Sequence, residues 1–179
     1  MISKIGFSGP PCSGKTSTIH EVVVKLRNLG VKVDCLTSIE RTPLYNVNNM
    51  SNELEHNISF VNHVLQESLH MRRKDIDILL VDRTVLDIIV DLQVSCSGYN
   101  KIGFAMVDYA KFWIETYVTI YLLPPREFKS DGQRLEDMKW RDSIIKRYND
   151  TIKYEEYNNV VKLEKLDINY IVNKIFKVM

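Results

Sequence analysis

One short stretch of the chain has residue types and a spacing that could do chemistry. Residues 9–16 read Gly-Pro-Pro-Cys-Ser-Gly-Lys-Thr and fit the G-x-x-x-x-G-K-[ST] pattern of a phosphate-binding loop. Its two glycines allow backbone angles that a side chain would forbid, so successive amides can converge on phosphate oxygens at the start of a helix. The stretch therefore predicts a nucleoside triphosphate as ligand, namely ATP held with Mg²⁺.

The side chains of this loop predict different contacts with the nucleotide. Lys15 is expected to reach the β- and γ-phosphates, and the Thr16 hydroxyl is expected to ligate Mg²⁺. Pro10 and Pro11 carry no N–H, so they would shape the loop without donating to phosphate. The expected nucleotide-binding residues are Gly9, Cys12, Ser13, Gly14, Lys15, Thr16 and Ser17.

A second group of charged residues follows the apolar run 79–81. Asp82 and Arg83 then lie at the carboxyl end of a buried strand, the edge of a parallel sheet where ligands bind. Asp82 is predicted to share the Mg²⁺ with Thr16. Arg83 can make a forked contact with a phosphate or a carboxylate. The competing interpretation is a surface salt bridge at a strand end.

Glu40 and Arg41 follow another predicted strand at the same edge of the sheet. A carboxylate there could take the proton from an attacking hydroxyl, and the arginine could hold an anionic acceptor. We therefore predict Glu40 as the catalytic base, with Asp87 as the next candidate. Arg41 and Arg83 are predicted to bind the acceptor. The alternative for Glu40 and Arg41 is a charged pair in solvent.

Arginines in the stretch 125–147 predict a lid over the nucleotide. Phosphoryl transfer spreads negative charge over the moving group, and Arg134 and Arg141 could offset that charge. A lid that supplies them would also exclude water, a competing acceptor. The alternative for Arg141 is an ion pair with Asp137, four residues before it on the same helix.

Hydrophobic periodicity places these groups on alternating strands and helices. The expected helices follow the phosphate loop and cover about 51–73, 84–94, 104–116, 138–154 and 168–178. The expected strands cover about 5–8, 31–37, 75–81, 118–123 and 159–163. This alternation predicts an α/β fold with a five-stranded parallel sheet and helices on both faces. The length of 179 residues suits one domain.

Two groups of residues are expected to be structural. His56, His63 and His70 are spaced by seven, a rise of about 10 Å along a helix, so two of them could not share a zinc ion. They are predicted to form the polar edge of a helix whose apolar positions are Leu54, Ile58, Val61, Leu65 and Leu69. Core positions are predicted for the aromatic residues Phe104, Phe112, Trp113 and Trp140.

The composition narrows the class of protein. The chain is 45% hydrophobic and 26% charged with a net charge of +1, so no strong basic excess points to nucleic acid. Three cysteines without a paired spacing favour a reduced, cytoplasmic protein. No apolar run of membrane-spanning length and no cleavable signal pattern are found. The frequent Asn, Lys, Ile and Tyr residues fit a gene from an AT-rich genome. A virus is one such source, in which case the protein would act in the host cytoplasm.

Together the motifs resemble those of the small P-loop kinases and ATPases grouped with the nicotinamide-riboside kinase domain of the bacterial NAD regulator. The similarity runs through nearly the whole chain and comprises the loop 9–16, Glu40 with its basic neighbour, Asp82-Arg83-Thr84 with Leu86-Asp87, 122–125, and Asp131-Gly132 with Arg134, Asp137 and Arg141. The resemblance implies a three-layer P-loop fold. In that fold the Asp82 strand lies beside the phosphate-loop strand, and an arginine-bearing lid covers the nucleotide.

A more distant resemblance links the chain to deoxynucleoside kinases and thymidylate kinases. It implies that an acid after the second strand acts as base and that an arginine after the third strand holds the acceptor, roles that would fall on Glu40 and Arg83. Two features depart from the pattern: Arg41 directly follows Glu40, and Pro10-Pro11 stands inside the loop.

Three functions remain open on the sequence alone. The first is a kinase that moves the γ-phosphate of ATP–Mg²⁺ to a hydroxyl or phosphate of a small nucleoside, nucleotide or related ribosyl compound. The second is a kinase acting on a hydroxyl within a polynucleotide, for which the basic residues in 139–153 would form the binding face. The third is a P-loop NTPase switch without a small acceptor. A homodimer is open in each case.

Overall fold

The computed structural model describes residues 2–37, 53–95, 101–127, 138–155 and 157–178. The elements in these ranges are β1 Ser3–Ser8, α1 Lys15–Asn28, β2 Val33–Leu36, α2 Glu53–His70, β3 Ile78–Asp82, α3 Val85–Ser95, α4 Lys101–Glu115, β4 Thr119–Leu122, α5 Met138–Glu155, β5 Val160–Lys162 and α6 Ile168–Lys177. They match the predicted elements, with bounds that differ by a few residues. Across the described ranges, no helix combines the length and apolarity needed to span a bilayer.

The five strands form one parallel sheet in the order β2-β3-β1-β4-β5. The central strand β1 pairs with β3 on one side, where Phe7 lies opposite Asp82, and with β4 on the other, where Ser8 lies opposite Leu122. The prediction of a five-stranded parallel α/β sheet is confirmed. The loop after β1 therefore begins between the carboxyl ends of β3 and β4, the edge where ligands bind in such sheets.

Helices cover both faces of the sheet because the side chains of β1 alternate between them. Ile5 and Phe7 pack into one buried cluster with residues of α1 and α6. A second cluster on the opposite face joins residues of α2, α3, α4 and α5. Lys4, Gly6 and Ser8 have the opposite parity to Ile5 and Phe7, so they face this second cluster.

Gly6 lets α3 approach the sheet closely. A Cβ atom added at Gly6 would lie 2.4 Å from Cγ2 of Thr84 and 3.1 Å from both Ile120 and Tyr117. A larger residue would push Thr84 and the start of α3 away from β1. The position of Thr84 beside Ser8 thus depends on the missing side chain of Gly6.

The side of α2 that faces the sheet is the opposite of the predicted side. His56 and His63 are each only 3% exposed, so the interpretation of these histidines as a solvent-facing polar edge is wrong; His70 is half-buried. The inward orientation follows from the buried Lys4, whose ammonium requires the α2 carboxylate of Glu67 at 2.6 Å.

The core prediction for the aromatic residues of α4 is also wrong in part. Phe104 is 59% exposed and Phe112 is 70% exposed. Trp113 and Trp140 are half-buried and pack against the second cluster, as expected for residues at the edge of a core.

Candidate active site

Glycines shape both ends of the loop between β1 and α1. Gly9 has φ 147° and Gly14 has φ 85°, values that side chains rarely adopt. Gly14 is the N-cap of α1, and among the described residues no side chain caps this helix start. The first amides of α1 therefore have no capping side chain, and an anion bound in the loop could accept from them.

Lys15 folds back over the loop. Its Nζ donates to the carbonyl oxygens of Gly9 at 2.5 Å and Pro10 at 3.2 Å, and it lies 3.8 Å from Oδ1 of Asp87. Burial lowers the pKa of Lys15, whereas the neighbouring Asp87 acts to raise it. The hydrogen-bond acceptors of the ammonium are thus neutral carbonyl oxygens. A bound phosphate would offer it stronger, charged acceptors.

Thr16 and Asp82, the two predicted magnesium ligands, are in direct contact. The Thr16 hydroxyl donates to Oδ2 of Asp82 at 2.6 Å, and Asp82 is 2% exposed. Both are oxygen ligands of the type that Mg²⁺ prefers. The described part of the chain contains no cluster of three or more His, Cys, Asp or Glu residues able to hold a metal. This donor set fits Mg²⁺ that is bound mainly by phosphate and water.

Ser13 supplies a further polar group inside the loop. Its side chain is 1% exposed, and its Oγ has no hydrogen-bond partner in the described part of the chain. An unsatisfied buried hydroxyl costs about 1–3 kcal/mol, which a phosphate oxygen within reach would recover. Ser13 therefore fits the predicted nucleotide site, together with the backbone of Gly14.

Two of the predicted arginines lie near the loop. Arg141 on α5 is 7% exposed, its Nε donates to the Pro11 carbonyl at 3.4 Å, and its Nη2 donates to the Arg126 carbonyl. Arg83 follows β3 and forms an ion pair with Asp91 of α3. Its φ of 67° is left-handed, a strained conformation for a residue with a side chain and one often found at functional sites.

The other predicted catalytic and acceptor-binding residues lie outside the described residues. These are Glu40, Arg41 and Arg134, along with lid residues 128–137. Within the expected lid range of 125–147, the described part consists of 125–127 and the first half of α5.

Arg126 also lies against the loop, at a place that the sequence did not single out. A Cβ atom at Gly14 would lie 2.6 Å from Nη1 of Arg126, so this guanidinium lies directly against the end of the phosphate loop. Its position in the chain, just after the Pro-Pro that terminates β4, is the only signal that could have suggested it.

Asp87 ties the loop to α3. It is fully buried, and its Oδ2 accepts from the Ser8 hydroxyl at 2.6 Å and the Thr84 N–H at 2.8 Å. Its Oδ1 accepts from the Gly9 N–H at 3.2 Å and from the Tyr148 hydroxyl of α5 at 2.8 Å. These donors surround both oxygens, which argues against Asp87 as a substitute base.

The start of α3 shows the local signal for this role of Asp87. Thr84 Oγ1 accepts from the Leu86 N–H at 3.2 Å, while Asp87 reaches back to the Thr84 N–H. This is a capping-box arrangement, and Thr-x-x-Asp before an apolar run is its sequence signature. Tyr148, which also donates to the Gly9 carbonyl at 3.3 Å, had no such signal.

Comparisons with known proteins concern the fold. No protein-family model and no curated protein matches this sequence. Among solved structures, a thymidylate kinase from Candida albicans is similar with a TM-score of 0.67 and 12% identity, covering 99% of this chain and 90% of that one. A deoxyadenosine kinase from M. mycoides with bound dATP is similar with a TM-score of 0.66 and 13% identity, covering 98% of each chain.

A second structure of that deoxyadenosine kinase, with the products dCMP and dCDP, gives a TM-score of 0.65 at 13% identity over 98% of this chain and 97% of that one. Likeness over almost the full length of both chains, at such low identity, is a likeness of fold. With its parallel sheet and its helices on both faces, the chain has the α/β fold of the P-loop thymidylate and deoxyadenosine kinases.

Proposed function

We propose that this chain is an ATP-dependent kinase that phosphorylates a nucleoside, a nucleotide or a related ribosyl compound. The proposal rests above all on one contact, the 2.6 Å hydrogen bond between Thr16 and Asp82 beside the glycine-bounded loop. A hydroxyl at the start of α1 and a carboxyl group at the end of the adjacent strand are the two protein ligands that a nucleotide-bound Mg²⁺ requires in this class of site.

The loop residues would bind the ATP polyphosphate. The amides at Gly14 and beyond, with the hydroxyl of Ser13, would cradle the phosphates, and Lys15 would turn from its carbonyl partners to the β- and γ-phosphates. Thr16 and Asp82 would hold Mg²⁺, which would neutralise charge on the phosphates.

Residues around the loop would handle the acceptor and the moving phosphoryl group. Glu40 would take the proton of the acceptor hydroxyl. The oxygen of that hydroxyl would form a bond to the γ-phosphorus, while the bond from the γ-phosphorus to the leaving oxygen of ADP breaks. Arg41 and Arg83 would position the acceptor. The remaining arginines would offset charge on the phosphoryl group; these are Arg126, Arg134 and Arg141.

Two likenesses support the proposed class of acceptor. The structural neighbours are named as kinases of thymidylate and deoxyadenosine. The sequence motifs resemble those of nicotinamide-riboside kinases. All three acceptors present a ribosyl or deoxyribosyl hydroxyl or phosphate, so we propose that this shared part is what the site recognises.

A phosphate-transfer screen tests this function. Labelled ATP with Mg²⁺ is offered with nucleosides, nucleoside monophosphates, nicotinamide riboside and hydroxymethylated DNA, and label in each acceptor is measured. We expect transfer to a small acceptor. Transfer to the DNA alone would instead establish the polynucleotide kinase, and ATP hydrolysis without transfer to any acceptor would establish the NTPase switch.

Replacing Lys15 tests the phosphate loop itself. Lys15→Ala removes a cation from the polyphosphate, and we expect turnover to fall by at least about 10²–10³-fold with the fold intact. Lys25→Ala is the matched control, because Lys25 is exposed on the same helix and bonds Asn169 at 3.0 Å. Wild-type turnover in the Lys15→Ala protein would exclude this loop as the catalytic site.

A further inference from the structure

The backbone of Arg83 is held by hydrogen bonds on both sides. Its own N–H donates to the carbonyl of Phe7 in β1 at 3.1 Å, and the N–H of the next residue, Thr84, donates to Asp87 at 2.8 Å. Between these two bonds Arg83 adopts its left-handed φ of 67°, which residues with a Cβ atom rarely adopt. The fold therefore sets the direction in which the Arg83 side chain leaves the carboxyl end of β3.

Asp91 of α3 holds the other end of this side chain. Nη2 of Arg83 donates to Oδ2 of Asp91, and the two side chains are only 20% and 17% exposed. Because burial limits the screening of charge by water and salt, such a pair is stronger than one on the surface. An arginine side chain alone has many rotamers, and this ion pair selects one place for its guanidinium.

The face of α3 that carries Asp91 also carries Asp87. The two residues are four positions apart, so their side chains are neighbours on one side of the helix. Asp87 accepts from the N–H of Gly9 at the start of the phosphate loop at 3.2 Å. Asp91 holds the arginine that follows the adjacent strand β3. One side of α3 thus fixes both the loop and Arg83 relative to each other.

The charge of Arg83 acts on the phosphate loop. Burial lowers the pKa of Lys15, Asp87 acts to raise it, and the positive charge of Arg83 acts to lower it. The two cations are therefore close enough to repel each other, and a separate carboxylate of α3 compensates each of them. Two cations held in this way favour an anion near both. The phosphoryl group that moves from ATP to the acceptor is such an anion.

We propose that Asp91 is a positioning residue of the acceptor site, whose ion pair keeps the guanidinium of Arg83 in the place from which it binds the acceptor. This role rests on the proposed function, in which Arg83 positions the acceptor. Asp91 acts through Arg83 and makes no contact of its own with ATP or with the acceptor. The pair stays intact when the acceptor binds, because Asp91 uses Nη2 and leaves other N–H groups of the guanidinium for the acceptor.

Steady-state kinetics of Asp91→Asn test this role, with the acceptor that takes up label in the transfer screen. The amide keeps the size of the carboxyl group and removes its charge. We expect kcat/KM for the acceptor to fall by about 10–100-fold, because displacing a positioning group has effects of this size. The Kd of ATP, measured by calorimetry, should stay unchanged, since Asp91 bonds Arg83 and not the loop.

Two further variants control for the loss of charge. Asp91→Glu retains a carboxylate within reach of Arg83 and should recover most of the lost kcat/KM. Asp108→Asn removes an exposed carboxylate of α4 that lies 4.0 Å from Lys111. This matched control should transfer phosphate at the wild-type rate.

Combination with Arg83→Gln separates positioning from a merely structural salt bridge. If Asp91 acts through Arg83, Asp91→Asn should lower kcat/KM for the acceptor in the wild type and should lower it no further in the Arg83→Gln protein. The doubly substituted protein has lost both charges, so we expect it to fold even if Asp91→Asn alone is unstable. Its comparison with Arg83→Gln then decides the question, with Tm measured for every variant.

Three results would overturn the role of Asp91 while leaving the kinase in place. They are an unchanged kcat/KM for the acceptor in Asp91→Asn, an equal fall with and without Arg83, and a rise. A rise would mean that Asp91 withholds Arg83 from the acceptor. A wild-type protein that transfers phosphate to no acceptor would instead overturn the proposed function, and the role of Asp91 with it.

Discussion

Two fully buried carboxyl groups lie on the same face of the sheet, and they differ in how closely they hold a cation. Asp87 is near the carboxyl end of β1 and accepts hydrogen bonds from neutral donors, the hydroxyls of Ser8 and Tyr148 and the amides of Gly9 and Thr84, while the Lys15 ammonium lies 3.8 Å from its Oδ1. Glu67 is near the amino end of β1 and holds the ammonium of Lys4. The other contacts of Glu67 are with His63, Trp113 and Tyr117.

The difference assigns separate tasks to the two groups. The Asp87 donors come from the end of β1, the loop that follows it, the start of α3 and α5, so this residue aligns the parts of the candidate active site. Glu67 neutralises the ammonium of Lys4. The rings of Tyr117 and Trp113 also pack against this ammonium, with ring centroids 3.9 Å and 4.4 Å from the Lys4 nitrogen. Glu67 therefore fixes which side of α2 faces the sheet.

Substitutions of the two residues should have different effects. Substitution of Glu67 should change stability, whereas substitution of Asp87 should also change nucleotide binding.

Neutralising Glu67 should have the largest effect on stability. Glu67→Gln leaves Lys4 buried without a counter-charge, and we expect a loss of about 3–5 kcal/mol in the free energy of unfolding, measured in urea. Glu115→Gln, an exposed acid on α4, is the control and should change stability by less than about 0.5 kcal/mol.

The double variant Lys4→Met with Glu67→Gln separates the pair from its parts. Removing both charges should recover much of the lost stability, because no uncompensated ion remains. A Glu67→Gln protein as stable as the wild type would show that the pair does not fix α2.

The pH dependence of stability should show the same pair. Burial acts to raise the pKa of Glu67, but His63 and Lys4 outweigh it and lower the pKa from 4.5 to about 2. A lowered carboxyl pKa stabilises the folded state above pH 4.5, and this contribution is lost as the pH falls from about 4.5 to about 2. The full loss is about 3 kcal/mol.

Urea unfolding at a series of acidic pH values measures this slope. In the double variant that lacks both charges, the slope between about pH 4.5 and 2 should become shallower. An identical slope in the wild type and the double variant would mean that other carboxyl groups account for the acid sensitivity.

Replacing Asp87 should destabilise the protein less than replacing Glu67 but should also weaken ATP binding at the loop. In Asp87→Asn, the amide NH₂ would face the Thr84 N–H or the Gly9 N–H, so one donor loses its acceptor at a cost of about 1–3 kcal/mol. We also expect ATP to bind more weakly, as measured by calorimetry, because Gly9 at the start of the loop is released from Asp87. Glu67→Gln, measured where it is folded, should bind ATP with wild-type affinity; equal weakening in both variants would contradict the division of tasks.

Local signals explain how much of the fold and the site the sequence could predict. The phosphate loop lies within eight residues, and Asp82 directly ends an apolar run, so both could be located without knowledge of the rest of the chain. The strands and helices follow from periodicities of two and about 3.6 residues, which are also local. The pairing of Thr16 with Asp82 then follows from the rule that parallel strands end at one edge.

Groups far apart in the chain explain what could not be predicted. The spacing of the aliphatic residues Ile58, Val61, Leu65 and Leu69 correctly predicts a helix. These residues face outward because Glu67 of the same helix pairs with the buried Lys4, 63 residues away in the chain. A lysine in a short apolar strand gives no sign that it is buried with a partner. Arg126 likewise reaches Gly14 only through the pairing of β4 with β1.

Tyr148 should give the smallest and most specific effect. Its hydroxyl donates to Asp87 at 2.8 Å, and burial followed by the charge of Asp87 raises its pKa well above 10, so it stays a donor at neutral pH. Tyr148→Phe keeps the ring and should cost about 1 kcal/mol of stability. Because α5 would lose its hydrogen bond to the loop, we expect ATP affinity to fall by a few-fold, against no change in Tyr170→Phe on the remote helix α6. An unchanged ATP affinity in Tyr148→Phe would mean that Asp87 positions the loop through Ser8, Gly9 and Thr84 alone, and that α5 only packs against them.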